Sequence, residues 1–285
     1  MHDHNHECTC EDHGHSNPLV PTMVKVVKIT DETPDVKTFY VTTEDGIPFK
    51  VMPGQLAMVS QLPVGEGMFS VSWQAEDHLQ FAIKRVGLLT EALHEIEVGQ
   101  TLGVRGPYGN GFPVDECKGK DMLFIGGGIG LAPLRSFIKY CFKHREDYGK
   151  ITILYGSRTS ADLCFKDELF DKWPKEKDTQ VYVTIDNPEE GWDGHVGFVP
   201  AYLEELKPNP EGTIAVICGP PIMIKFCLQS LEKMGFNDEQ VITTLEMRMK
   251  CGIGKCGRCN IGHEYICLDG PVFNLAQLKQ LPPEW

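Results

Sequence analysis

The sequence predicts a β + α/β protein in three parts: an antiparallel barrel, a domain built on a parallel sheet, and a small C-terminal lobe organised by cysteines. Three observations carry this reading. Short β-rich runs recur from Pro21 to about Asp115, interrupted by Pro, Gly and Asp clusters, a spacing that suits a closed barrel. From Lys120 onward apolar strands alternate with helical segments, as in a parallel sheet covered on both faces. Near the end, Cys251, Cys256, Cys259 and Cys267 fall in the pattern C-x4-C-x2-C-x7-C, with Gly252, Gly254 and Gly257 interleaved.

Composition narrows the class. The chain has 285 residues, 41% hydrophobic and 24% charged, as in a soluble protein with room for two domains and a lobe. Its net charge of −13 argues against a nucleic-acid partner, which would call for a basic face. No run of 18 apolar residues occurs, and no basic start precedes an apolar block, so neither a membrane span nor a secretory signal is expected. Of eleven cysteines, Cys117, Cys141, Cys164, Cys218 and Cys227 stand singly in apolar segments, which suits reduced thiols and a cytoplasmic location.

The elements follow in order. The tail before residue 21 holds five histidines, Cys8, Cys10 and four acids, with nothing to bury. Disorder is the expectation, and transition-metal binding by Cys8, Cys10 and some histidines is the alternative. Strands are expected at 24–29, 38–42, 55–60, 68–73 and 79–84, a short helix at Leu88–Ile96, and a last strand at Thr101–Arg105 running into a loop from Gly106 to Pro113. The barrel is bounded as 21–115 and the second domain as 116–245. In the second domain a strand ending at Gly126 leads into Gly127-Gly-Ile-Gly-Leu-Ala-Pro133 and a helix from Leu134 to Arg145. Gly126-Gly-Gly-Ile-Gly130 does not complete G-x-G-x-x-G, because Leu131 and Pro133 stand where a third glycine would be. What remains is a strand, a turn of minimal side chains and a helix start able to hold a pyrophosphate; tight strand-helix packing would use the same glycines.

The cysteine lobe, 246–285, has a chemistry of its own. Its first two gaps match the plant-type ferredoxin spacing for a [2Fe-2S] cluster, and the last gap is shorter. Glycines let the backbone wrap close enough to aim N–H groups at the sulfurs. A structural zinc site would favour two short knuckles where this pattern leaves one, and a disulfide framework suits a secreted chain. Arg248, Lys250, Lys255 and Arg258 stand against Glu246 alone. They would raise the potential of an anionic cluster and steer an acidic partner, or simply offset the thiolates in a solvated loop. His263 reads as a loop residue, since a Rieske centre needs two histidines. The residues after Cys267 read as a loop and one short helix, with Phe273, Leu275, Leu278 and Leu281 covering the lobe and Trp285 undecided.

The order of these motifs resembles the ferredoxin-NADP reductase superfamily from about Pro21 to Ile242. Within it, the chain is similar to the iron-sulfur flavoproteins represented by the dihydroorotate dehydrogenase electron-transfer subunit, the iron-sulfur flavoprotein component of anaerobic sulfite reductase and the sulfhydrogenase gamma subunit. Phe69-Ser70-Val71-Ser72 resembles the flavin-contact strand, Gly87-Leu88-Leu89-Thr90 the turn that cradles the flavin pyrophosphate, and Gly106–Gly109 the loop closing that domain. The residues Gly127, Gly128, Gly130, Ala132 and Pro133 resemble the nicotinamide-dinucleotide loop, and Cys218-Gly219-Pro220-Pro221 the second nicotinamide-side motif. The resemblance implies a flavin-binding barrel, a nucleotide-binding sheet domain and a [2Fe-2S] lobe, with Ser70 and Ser72 at the isoalloxazine and Cys218 near the nicotinamide. Cys218 as a buried strand-end residue is the plainer alternative. Ser157 and Arg158 would lie at the adenosine ribose, where Arg158 could bind a 2′-phosphate, stack on adenine or cap a loop, leaving NAD(H) and NADP(H) both open.

One departure stands out. The superfamily's phosphate-binding arginine before the flavin-contact strand is replaced by Gly65-Glu-Gly-Met, where Glu66 is expected to repel a phosphate. Lys84, Arg85 or helix-start N–H groups would substitute, and FAD is favoured over FMN because the Gly87–Thr90 turn suits a pyrophosphate. The implied function is electron transfer between NAD(P)H and a partner through FAD and the cluster, as a subunit of a larger oxidoreductase. Candidate partners are a hydrogenase, a sulfite reductase, a heterodisulfide-reductase-like module or ferredoxin. A free-standing NAD(P)H:acceptor reductase and a zinc-binding scaffold are the alternatives.

Overall fold

The computed structural model describes residues 17–282. The tail with Cys8 and Cys10, for which disorder or metal binding is expected, and the packing of Trp285 lie outside them.

The N-terminal part comprises β1 (Thr22–Thr33), β2 (Val36–Thr42), β3 (Leu56–Gln61), β4 (Gly65–Ser70), β5 (Trp73–Gln74), β6 (Leu79–Lys84), α1 (Leu88–His94) and β7 (Thr101–Tyr108). The strands pair antiparallel in the order β4-β3-β7-β1-β2-β6-β5. One chain segment serves both edges: Val71 N–H donates to Gln55 O beside β3, and Ser72 N–H to Gln80 O in β6. Alternate residues such as Val24 and Val26, Phe39 and Val41, and Leu102 and Val104 point inward into one apolar core. Strand β7 runs on through Gly106-Pro107-Tyr108, where a loop was expected. A bulge explains it: Met58 faces Arg105 and Leu56 faces Tyr108, so Gly106 and Pro107 are absorbed opposite Ala57.

The second part contains β8 (Asp121–Gly127), α2 (Leu131–Lys143), β9 (Ile151–Ser157), β10 (Thr179–Ile185), β11 (His195–Val196), α3 (Val199–Leu206), β12 (Thr213–Cys218), α4 (Pro221–Met234) and β13 (Val241–Thr244). Their strands are parallel, in the order β11-β10-β9-β8-β12-β13, with apolar clusters on both faces. The chain then forms a hairpin, β14 (Asn260–Ile261) and β15 (Glu264–Tyr265), before β16 (Val272–Asn274) and α5 (Leu275–Leu278). Strand β16 is a correction to the expected loop: it adds antiparallel to β13 at the sheet edge. Three residues carry no readable period, whereas the free edge of β13 supplies the backbone partners. Phe273, Leu278 and Leu281 pack in the cysteine lobe as expected, while Leu275 packs against the sheet domain instead.

Two contacts lock the parts together. Leu56, Met58 and Tyr108 of the barrel share a core with Met249, Cys259 and Cys267, seating the cysteine lobe on β3 and β7. Across the other interface, Arg135 of α2 donates to Glu168 at 2.5 and 2.8 Å and to Gln80 Oε1 of the barrel at 2.8 Å. Burial pushes the Glu168 pKa up, but the hydrogen bond and charge of Arg135, joined by Lys139, outweigh it and hold it below the usual carboxylate range. Among the described residues no helix is long and apolar enough to cross a membrane.

Candidate functional site

At the carboxyl ends of the parallel strands the sequence places its smallest residues. Strand β8 ends in Gly126 and Gly127, Gly128 takes φ +53°, and α2 begins directly after Gly130. Strand β12 ends at Cys218, and Pro221 opens α4. These turns surround a cleft of about 720 Å³ between barrel and sheet domain, lined by Gly127, Gly128, Gly130, Ser157, Arg158, Gly219 and Pro220. Seven residues singled out by sequence thus meet in one place. Ala132 and Pro133 are buried in the first turn of α2.

Glycine is required here by proximity. A Cβ at Gly127 would collide with Met223 Sδ, and one at Gly219 would stand 2.5 Å from Met223 Cε. The Cys218 thiol is wholly enclosed: burial pushes its pKa up to about 12, partly countered by Thr244, whose hydroxyl lies 3.1 Å away. It therefore remains a neutral thiol facing Thr244. From the barrel, Asp35 and Lys84 reach the cleft as an ion pair at 3.3 Å, so Lys84 already has a counter-ion. Sequence reasoning missed the apolar side of the cleft, Phe198, Ile222 and Phe226, all exposed. It also missed Asp162 and Asp186. Asp162 lies 3.5 Å from Arg158, and Asp186 has its pKa raised by burial, lowered by Arg158 and raised again by Asp162.

The barrel motifs occupy other ground. Phe69 and Leu89 pack against the barrel core, Ser70 is half-buried, and Val71 and Ser72 are buried. The Ser72 hydroxyl donates to Gln80 O at 2.9 Å. Thr90 Oγ1 accepts from Val86 N–H at 2.8 Å and Gly87 N–H at 3.0 Å, shaping the turn that starts α1, with Leu88 exposed beyond it. Phe69–Ser72 and Gly87–Thr90 do not line the large cleft; Val71 lines a second cavity of about 250 Å³ with Trp73 and Tyr140.

Glu66 is the main correction. It does not face a ligand phosphate as a free repelling charge; it is the bidentate partner of Arg105, at 2.7 and 3.1 Å. Arg105 in turn donates to Cys251 O at 2.6 Å and Lys250 O at 3.0 Å.

The four cysteines meet in the lobe beside this pair. Cys259 and Cys267 are buried in the lobe's core with Met249 and Ile266, Cys251 is half-buried and Cys256 exposed. Backbone N–H groups of Ile253, Lys255 and Cys256 point at Cys251 Sγ at 3.3–3.4 Å, and Gly254 N–H at Cys267 Sγ at 3.3 Å. Burial raises the Cys251 pKa, but these N–H groups outweigh it and bring the thiol down to about 6. Such a nest of donors fits a thiolate ligand set. His263 is an exposed loop residue beside Glu264.

Residues 124–229 match the family described as oxidoreductase NAD-binding domain, and residues 246–279 the iron-sulfur cluster binding domain of dihydroorotate dehydrogenase B. The chain is 37% identical over 277 residues to sulfhydrogenase 1 subunit gamma of Pyrococcus furiosus, covering 93% of this chain and 94% of that one. The chain belongs to the family of iron-sulfur oxidoreductase electron-transfer subunits. A second member, the probable dihydroorotate dehydrogenase B (NAD(+)) electron transfer subunit of Thermococcus kodakarensis, is 36% identical over 259 residues, covering 91% of this chain and 98% of that one. A solved NADH-dependent reduced ferredoxin-NADP oxidoreductase, described for flavin-based electron bifurcation, superposes with a TM-score of 0.75 at 26% identity over 92% of this chain and 90% of that one. In this electron-transfer subunit the glycine turns of the cleft lie within the matched NAD-binding segment and the four cysteines within the matched iron-sulfur segment.

Proposed function

We propose that this subunit passes electrons between NAD(P)H and a partner oxidoreductase subunit through FAD and a [2Fe-2S] cluster. The observation that carries the cluster reading is the set of backbone N–H groups aimed at Cys251 Sγ and Cys267 Sγ, in a segment whose first two cysteine gaps match a [2Fe-2S] ligand set. Two irons each need two terminal thiolates, whereas one zinc ion needs four converging ligands. When bound, flavin supplies the change from two-electron hydride chemistry to single-electron transfer, and the cluster carries the single electrons.

The chain's own residues bind and orient. Gly127, Gly128 and Gly130 let a dinucleotide approach the backbone at the start of α2, Gly219 and Pro220 form the opposite wall, and Ser157 and Arg158 stand at its ribose end. Phe69–Ser72 and Gly87–Thr90 would hold FAD on the barrel. Ser70 is half-buried and Ser72 buried, and Cys218 backs the Gly219-Pro220 wall as a buried thiol beside Thr244. The partner reading rests on relatives that are subunits of a sulfhydrogenase and of dihydroorotate dehydrogenase B. A cytoplasmic setting is supported by Cys117, Cys141, Cys164, Cys218 and Cys227, all buried and unbridged among the described residues.

The test is metal and flavin content of anaerobically purified protein, with visible and EPR spectra before and after NADH or NADPH. About two irons and one flavin per chain, with a reduced-cluster signal on adding nucleotide, are expected. Zinc without flavin absorption overturns the reading.

A further inference from the structure

Arg105 is only 4% exposed, and neither the nucleotide cleft nor the barrel core explains its charge. Every arm of its guanidinium is engaged at the junction of barrel and cysteine lobe. Nη1 donates to Cys251 O at 2.6 Å and Tyr108 Oη at 2.8 Å, Nη2 to Lys250 O at 3.0 Å and Glu66 Oε1 at 2.7 Å, and Nε to Glu66 Oε2 at 3.1 Å. The Tyr108 ring lies so close to Gly252 that a Cβ there would stand 2.9 Å from it, and Gly252 takes φ +78°. Ring and guanidinium together pin the backbone on both sides of the first cysteine. Apolar packing alone would seat the lobe without burying a cation, so the charge at this place calls for another account.

We propose that Arg105 is a positioning residue for the cluster: it holds the Cys251 loop and, balanced by Glu66, sets the cluster's reduction potential. This rests on the reading that the four cysteines hold a [2Fe-2S] centre. A cluster bound by four thiolates is anionic and gains one further negative charge when it takes an electron originating from NAD(P)H; no bond is made or broken. A buried guanidinium bonded to a ligand's own carbonyl stabilises the more negative state and raises the potential. Glu66, on the far arm of the fork, subtracts part of that field. Its side chain is 38% exposed, so its charge can be removed without opening a core.

The experiment is an anaerobic redox titration of the holoprotein, following the EPR signal of the reduced cluster, with iron content measured for each variant. At a fixed ambient potential, Glu66→Gln is expected to raise the reduced-to-oxidised ratio by roughly tenfold, equivalent to ~59 mV for a one-electron couple. Arg105→Gln is expected to lower it by about tenfold, while Arg105→Lys, which keeps the charge, stays within about threefold of wild type. A purely structural Arg105 would leave the potential of iron-loaded Arg105→Gln unmoved. The proposal is overturned if Glu66→Gln changes the ratio by less than about twofold, or if both neutral variants shift it the same way. Should Arg105→Gln lose its iron, the Glu66→Gln titration decides by itself. Absence of iron from the wild type would overturn the cluster reading instead.

Discussion

A Cβ added to Gly130 would stand 2.5 Å from the carbonyl oxygen of Cys218 and 2.7 Å from Gly219 Cα. The turns after β8 and β12 therefore touch backbone to backbone, and the width of the cleft is set by the absence of a side chain. Gly130→Ala forces them apart. We expect a loss of about 1–3 kcal/mol in unfolding stability from overpacking against rigid main chain. A raised KM for NAD(P)H in dye reduction should accompany it. Unchanged melting and KM would show that the turns yield freely.

The buried fork of Arg135 on Glu168 should control the interface between barrel and sheet domain. Glu168→Gln leaves a buried guanidinium without its counter-charge, a loss of about 3–5 kcal/mol by denaturant titration. The pH dependence has a definite sign. The folded pKa of Glu168 is depressed. Its contribution is therefore full above the unfolded value of ~4.3 and is lost as pH falls through the lower folded value. Wild type should lose stability across that acid window, and the difference from Glu168→Gln should shrink there.

Gly254 is the tightest point of the cysteine loop. It takes φ +68°, a Cβ there would collide with Leu268 Cδ1, and its N–H points at Cys267 Sγ. Gly254→Val is expected to lose most of the iron while keeping the flavin, because the barrel motifs lie elsewhere. Full iron content in this variant would contradict the packing argument.

In the cleft, Arg158 lies 3.5 Å from Asp162 and also acts on Asp186, and we propose that this end takes the ribose. A 2′-phosphate would arrive beside two carboxylates, whereas a 2′-hydroxyl can donate to one. NADH is expected to exceed NADPH in kcat/KM by about tenfold, near 1.4 kcal/mol. Asp186→Ser should narrow that ratio. A wild-type preference for NADPH would refute the assignment of the carboxylates.

What could be read from the chain alone was whatever is local. Short β-rich runs before residue 115, strand-glycine-helix alternation after 120 and four cysteines within 17 residues each report a structure whose parts are sequence neighbours. For that reason the glycine turn after β8 and Gly219-Pro-Pro221 line one cleft, while Cys218 is buried behind it. The meaning of Glu66 was not local. Its partner Arg105 is 39 residues away, and the carbonyl that Arg105 holds is 146 residues beyond that. Whether a carboxylate repels a ligand or neutralises a buried guanidinium depends on which charge the fold brings within about 3 Å, and only the tertiary structure decides that. The same holds for β16, whose three residues become a strand because β13 offers an edge, and for Asp162 and Asp186, which act on Arg158 through space.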